Sequence, residues 1–242
     1  MKGVVLAGGL GSRLYPLTKI TNKHLLPIYN RPMITYPIQC LVNAGIKDIL
    51  VVTGGNNPGD FLKLLGNGKE YGVDHISYAY QEGEAGIADA LSLAEAHAGG
   101  GRLCVVLGDN IIEKNIFSAV QDYKKQKSGA RILLKEVPDP QRFGVPVLDG
   151  DRVVSIEEKP QAPPSSYAVT GIYMYDSLVF EFISKLTPSQ RGELEITDVN
   201  NRYIQQDNLT WSMLDGWWTD AGTFDSLLRA SNLVAEGGAN KL

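Results

Sequence analysis

Three apolar runs without polar interruption constrain the fold most: GVVLA over 3–7, the start of DILVVTGG over 48–55, and the start of LCVVLGD over 103–109. A strand with one wet face alternates apolar and polar residues, whereas a continuous run suits a strand buried on both faces, as in parallel sheets. Helical stretches lie between these runs. Pro32 to Ala44 opens with a proline and closes at Gly45, and Pro37 is expected as an irregularity within it. Asp60 to Leu65 ends at Gly66, HISYAY (75–80) reads as a strand, and Gly86 to His97 is an Ala/Leu-rich helix followed by three glycines. Strands separated by helices require right-handed crossovers, so the first half predicts an α/β fold with a mostly parallel sheet.

The second half changes character. ARILLKEV (130–137), FGVPVL (143–148), RVVSIEE (152–158) and YAVTGIYMY (167–175) are strands separated by turn clusters, which predicts antiparallel additions to the sheet. Helices follow over 176–185 and 197–205, then a strand over 209–214 and a last helix from Thr223 to about Ala235. At 242 residues the chain fits one domain, with 1–110 mainly one functional half and 111–235 the other.

Charge is distributed unevenly. Net charge is −4, which argues against nucleic acid or acidic membrane as the partner. Yet residues 1–47 hold Lys2, Arg13, Lys19, Lys23, Arg31 and Lys47 and no acid, so an anionic ligand is expected there. Cys40 and Cys104 sit inside apolar runs and read as buried thiols. The apolar start is too short for a signal-peptide core and no 18-residue apolar run occurs, so the expected location is the cytoplasm.

The segment LAGGLGSRLYPLTKITNKHLLPIYNRPM (6–33) is the most informative. Gly8, Gly9 and Gly11 follow the first strand, where missing Cβ atoms let backbone N–H groups approach an anion, with Arg13 and Lys23 beside them. Leu14 stands where a dinucleotide fingerprint needs its third glycine, and no GK[ST] ending makes this a P-loop. Asp109 closes the most apolar strand, at the sheet edge where open α/β folds bind ligands. The three histidines show no metal or triad spacing.

GGLGSRLYPLT with KHLLPI and RPM resembles the signature of the sugar-phosphate nucleotidyltransferases, most of all the bacterial glucose-1-phosphate thymidylyltransferases. LGDN (107–110), FGVP (143–146), IEEKP (156–160), YAVTGIYMYD (167–176), RGELEITDVN (191–200) and WWTDAGT (217–223) match further family blocks in family order. The resemblance implies a Rossmann-like central sheet with helices on both sides and antiparallel strands forming the sugar-binding part. It also implies transfer of a nucleotidyl group from dTTP to α-D-glucose 1-phosphate, with Mg²⁺ as cofactor and a homo-oligomeric assembly.

By the same resemblance, Arg13, Lys23 and Lys159 are catalytic, and Asp109 and Asp220 hold the metal. Leu6, Gly8, Gly9 and Gly11 belong to the nucleotide side with Arg13, Lys23 and Asp109, while Gln81 and Gly86 meet the base. Gly144, Glu157, Lys159, Val169 and Arg191 hold the sugar phosphate, with Glu158 an exposed neighbour. Phe143 replaces a tyrosine common in the family, and EGEA (82–85) departs from its proline-containing loop, leaving dTTP and UTP both open; an enzyme using another sugar 1-phosphate is the other near alternative. A non-catalytic nucleotide-sugar sensor is a further alternative. Many thymidylyltransferases continue into a C-terminal helical segment with a regulatory site; the last matching block ends near residue 235, so such control is not expected here.

Overall fold

The continuous apolar runs do become the middle of a sheet. The computed structural model describes residues 1–55 and 57–241. Its first half comprises β1 (Lys2–Ala7), a short hairpin of β2 (Pro27–Ile28) and β3 (Arg31–Pro32), α1 (Thr35–Asn43), β4 (Asp48–Gly54), α2 (Pro58–Leu65) and β5 (His75–Gln81). Then come α3 (Ile87–Ser92), α4 (Glu95–Ala98), β6 (Leu103–Leu107), β7 (Asn110–Ile112) and α5 (Phe117–Lys125). The second half holds β8 (Ala130–Glu136), β9 (Gly144–Asp149), β10 (Arg152–Glu158), β11 (Tyr167–Tyr175), α6 (Leu178–Ser184), α7 (Ile196–Gln205), β12 (Leu209–Met213), β13 (Trp218–Asp220) and α8 (Phe224–Gly237).

Seven strands form the central sheet in the order β12-β8-β11-β6-β1-β4-β5. β1 pairs in parallel with β4 and β6, β4 with β5, and β8 with β12, while β11 runs antiparallel between β6 and β8. Burial follows the sequence pattern. In β1, Val4 and Leu6 enter the apolar layer on one face and Val5 and Ala7 the layer on the other; in β6, Leu103 and Val105 oppose Cys104 and Val106 in the same way. Both cysteines are free and buried in one layer, where burial pushes the Cys104 thiol up to about 12. No described helix is long and apolar enough to cross a membrane.

Several sequence expectations shift. Pro32 lies in the β2–β3 hairpin, so α1 begins at Thr35, and Pro37 falls in its first turn, where a missing N–H costs no helical bond. The expected helix over 86–97 splits into α3 and α4, and Ser92 Oγ donates back to the Asp89 carbonyl near the break. The strands over 143–148 and 152–158 do not join the central sheet; β9 and β10 pair only with each other.

A third apolar cluster joins Ile28 of the first hairpin and Met33 just after it to Ile111, Ala221, Ala230 and Val234. It anchors the antiparallel β7–β13 pair, which sets Asp220 opposite Asn110. Thr223 then caps α8 reciprocally with Ser226, fixing the chain direction just after Asp220.

Candidate active site

The chain from β1 runs to β4 on one side of the sheet, and β6 is added on the other, so strand order reverses between β1 and β6. Such a switch point leaves a crevice at the carboxyl ends of the strands. A cleft of about 750 Å³ opens there, and every site residue expected from sequence lines it except Glu157.

The glycine loop forms one wall. Gly11 has φ of +65°, and a Cβ there would approach Lys23 Cβ to 2.9 Å, so the loop can lie against Lys23 only because this residue has no side chain. Thr18 Oγ1 donates to the Gly11 carbonyl at 3.0 Å and holds the turn. The Leu10 N–H donates to Glu84 Oε1 at 2.8 Å, so a carboxylate already meets one donor of this acid-free loop.

Two carboxylates face each other across the base of the cleft. Asp109 Oδ2 accepts from Lys23 Nζ at 2.7 Å, both side chains being 14% exposed. Burial acts to raise the Asp109 pKa, but the Lys23 ammonium, His24 and hydrogen bonds from Lys23 and Asn110 outweigh it and hold the carboxyl well below the usual range. Asp220 is gripped by Arg142, whose Nη2 lies 3.1 Å from each carboxylate oxygen. Around Gly222 the groups converge: a Cβ there would lie 3.0 Å from Arg13 Nη2, 3.2 Å from Asp220 Oδ2 and 3.6 Å from Asp109 Oδ2. Hard oxygen donors of this kind fit a magnesium-type ion, which takes one or two carboxylates and fills its other positions with water and phosphate. Among the described residues no group of three or more His, Cys, Asp or Glu converges, so substrate oxygens have to complete such a site.

The opposite wall comes from β10, α7 and the loop before it. Here one expectation is corrected. Glu157 is exposed and points away from the cleft, whereas Glu158 lines it and accepts from Thr197 Oγ1 at 2.6 Å. Alternation along β10 explains this, because Glu158 shares a face with buried Ile156. Lys159 would then follow Glu157 outward, but its φ of +46° places it in the left-handed region and breaks the alternation, so Glu158 and Lys159 both reach the cleft. Arg191 meets Glu195 at 2.8 Å, Glu193 at 3.4 Å and Glu158 at 3.5 Å. Gly144 and Val169 line the same wall, as do Phe143 and Trp218, whose rings meet edge to face at 5.0 Å. Trp217 packs instead into the third apolar cluster.

Some lining residues had no part in the sequence expectation. Arg142 directly precedes FGVP, and Asn110 directly follows Asp109. Asn110 Oδ1 accepts from Trp218 Nε1 at 2.6 Å and from the Gly171 N–H at 3.1 Å, while its Nδ2 donates to Asp109 Oδ1 at 3.2 Å. Ile196, Thr197 and Asn200 line the cleft from α7, and their helical spacing was the available signal. His24 is buried near Lys23 and Asp109, with burial first and Lys23 second lowering its pKa to about 3, so it stands neutral in the floor.

Known proteins share this architecture and sequence. The model of the nucleotidyl transferase family matches residues 2–237. Glucose-1-phosphate thymidylyltransferase of Neisseria meningitidis is 45% identical over 97% of this chain and 82% of its own length. That of Xanthomonas campestris is 43% identical over 96% and 80%. The crystal structure of a candidate glucose-1-phosphate thymidylyltransferase from Bacillus anthracis, in complex with sucrose, is 52% identical and superposes with a TM-score of 0.91 over 96% of this chain and 94% of that one. With a family match along nearly the whole chain and a glycine-loop cleft at the sheet's switch point, this chain belongs to the nucleotidyl transferase family.

Proposed function

We propose that this chain transfers a thymidylyl group from dTTP to α-D-glucose 1-phosphate, giving dTDP-glucose and pyrophosphate. Relatives that carry the name of this activity, at 43–45% identity, support the choice of substrates. The observation that carries the reading is a single cleft with cations at both ends, Arg13 and Lys23 on one wall and Lys159 and Arg191 on the other, with Asp109 and Asp220 between. Two anions have to be brought together for this reaction, and that is the charge pattern it needs.

An oxygen of the sugar phosphate attacks the α-phosphorus of dTTP; the bond to the β-phosphate oxygen breaks, and pyrophosphate leaves with the electron pair. The attacking oxygen is already an anion, so no general base is required and catalysis rests on positioning and charge. Arg13, with the N–H groups of the Gly8–Gly11 loop and with Lys23, binds the triphosphate and neutralises the departing pyrophosphate. Its planar fork suits phosphate oxygens. Lys159 and Arg191 hold the sugar phosphate, Glu158 accepts from sugar hydroxyls, and Gly144 and Val169 line the sugar pocket. Asp109 and Asp220 would hold Mg²⁺, which when bound supplies positive charge to the phosphate oxygens. Gln81 and Gly86 meet the base.

A uridylyl donor is the second reading, because the hydrogen-bonding edge that Gln81 would read is the same in thymine and uracil. Purified protein incubated with glucose 1-phosphate and each of dTTP, UTP, CTP, ATP and GTP separates the readings through pyrophosphate release. Highest kcat/KM with dTTP is expected; release with none, despite tight binding of dTDP-glucose, would leave a sensor instead. The same reading includes a cytoplasmic location, supported by two buried free thiols, and a homo-oligomer, supported by exposed Tyr29, Phe224 and Leu228.

A further inference from the structure

We infer that Asp89 is a positioning residue for base selection: it fixes the Gln81 amide so that the amide oxygen, and not the nitrogen, faces the base. The inference rests on the nucleotidyl transfer proposed above and adds a determinant of its nucleobase choice.

Gln81 ends β5 and is 4% exposed, so the direction of its amide is set by the protein rather than by water. Its Nε2 lies 2.8 Å from Asp89 Oδ2 and 3.0 Å from the Gly86 carbonyl. A carboxylate and a carbonyl can only accept, so the atom facing both must be the donor nitrogen, and this assigns the amide without reference to hydrogen positions. Oε1 is thereby turned to the other side, close against Gly8, where a Cβ would collide with it. Among the described residues it accepts no hydrogen bond, and Gln81, Gly8 and Gly86 all line the cleft.

What Gln81 presents is therefore one acceptor. A pyrimidine with a protonated ring nitrogen, thymine or uracil, satisfies it. Cytosine turns an acceptor to the same position and leaves two lone pairs opposed, a mismatch that sites built on a buried polar group discriminate strongly. The ionised carboxylate is the stronger of the two anchors, because charge-assisted hydrogen bonds are roughly twice as strong as neutral ones. Asp89 also sits in the first turn of α3, where a negative charge is favourable in its own right. That alternative role would alter stability and leave base preference untouched.

The test compares kcat/KM for dUTP and dCTP, which differ only in the 4-oxo, N3–H edge against the 4-amino, N3 edge. Wild-type protein is expected to favour dUTP by about 100-fold or more. Asp89→Leu, and Asp89→Ala where the larger side chain prevents folding, should lower that ratio by about tenfold or more, because Gln81 keeps one neutral anchor and its amide can turn. Asp89→Asn, whose Oδ1 can still accept from Nε2, should hold the ratio within about threefold of wild type. An unchanged ratio in the Leu and Ala variants, or an equal loss of ratio in all three, would overturn the inference. Equilibrium binding of the same two nucleotides reads the preference without turnover, so a protein that releases no pyrophosphate removes the proposed reaction while the Asp89 inference is still decided.

Discussion

At the cleft wall formed by β1 and β6, Lys23 and Asp109 are each 14% exposed, and Asp220 beside them is 14% exposed as well. At the wall formed by β10 and α7, Lys159 and Arg191 are 47% and 41% exposed. Asp109 follows β6, a strand buried on both faces, and Lys23 and Asp220 are largely buried beside it, so these charges are held in a low-dielectric floor. The second wall hangs on a two-stranded hairpin and a loop, where water screens each charge. On the proposed function the walls do different work: Asp109 and Asp220 in the floor, with Arg13 beside them, set the rate, and Lys159 and Arg191 capture a substrate.

The largest effect should come from the buried wall. Asp109→Asn and Asp220→Asn are expected to fold and to lose about 10³-fold or more in kcat, since each removes charge from the centre of the reaction. Near-normal turnover in both would break the comparison. Arg13 is exposed, yet its guanidinium reaches the Gly222 position where both carboxylates converge; Arg13→Ala should lower kcat by about 100-fold or more, and a change confined to nucleotide affinity would contradict its transition-state role. On the exposed wall, Lys159→Ala and Arg191→Ala should chiefly raise KM for glucose 1-phosphate, by about 10- to 100-fold. Glu158→Ala should raise the same KM, whereas Glu157→Ala, on the outer face, should stay within about twofold of wild type; steady-state kinetics with saturating dTTP reads both.

The smallest effect concerns stability. His24 titrates near 6.5 when unfolded and at about 3 when folded. Below pH 6.5 the unfolded chain takes up a proton that the folded chain refuses. The contribution is therefore fully present above pH 6.5 and is lost as pH falls towards 3, with a slope approaching about 1.4 kcal/mol per pH unit. Urea unfolding at several pH values between 7 and 4 should show a steeper loss for wild type than for His24→Gln. Identical slopes would mean that the floor of the cleft is wetter than its burial indicates.

The same contrast explains what the sequence made legible. GVVLA, DILVV and LCVVL announce parallel strands because burial on both faces leaves no polar interruption, and Asp109 follows from its place at the end of one of them. Sequence resemblance then proposed Asp220, Lys159 and Arg191, and all three line the cleft. Other positions on both walls resisted finer reading. β13 has three residues, too few to show a period, and no local pattern reveals its pairing with β7. Glu157 and Glu158 are neighbours in sequence, and choosing between them requires the phase of β10 and the left-handed turn at Lys159. Arg142 reads as an ordinary surface base until folding sets it against Asp220 across 78 positions of sequence.

The most direct test of the account follows the phosphorus atom. With dTTP and glucose 1-phosphate carrying ³²P in its phosphate, the account predicts that all transferred label enters dTDP-glucose and none enters pyrophosphate, with the two products formed in equal amounts. Label in pyrophosphate, or dTDP-glucose formed without it, would contradict attack by the sugar phosphate on the α-phosphorus.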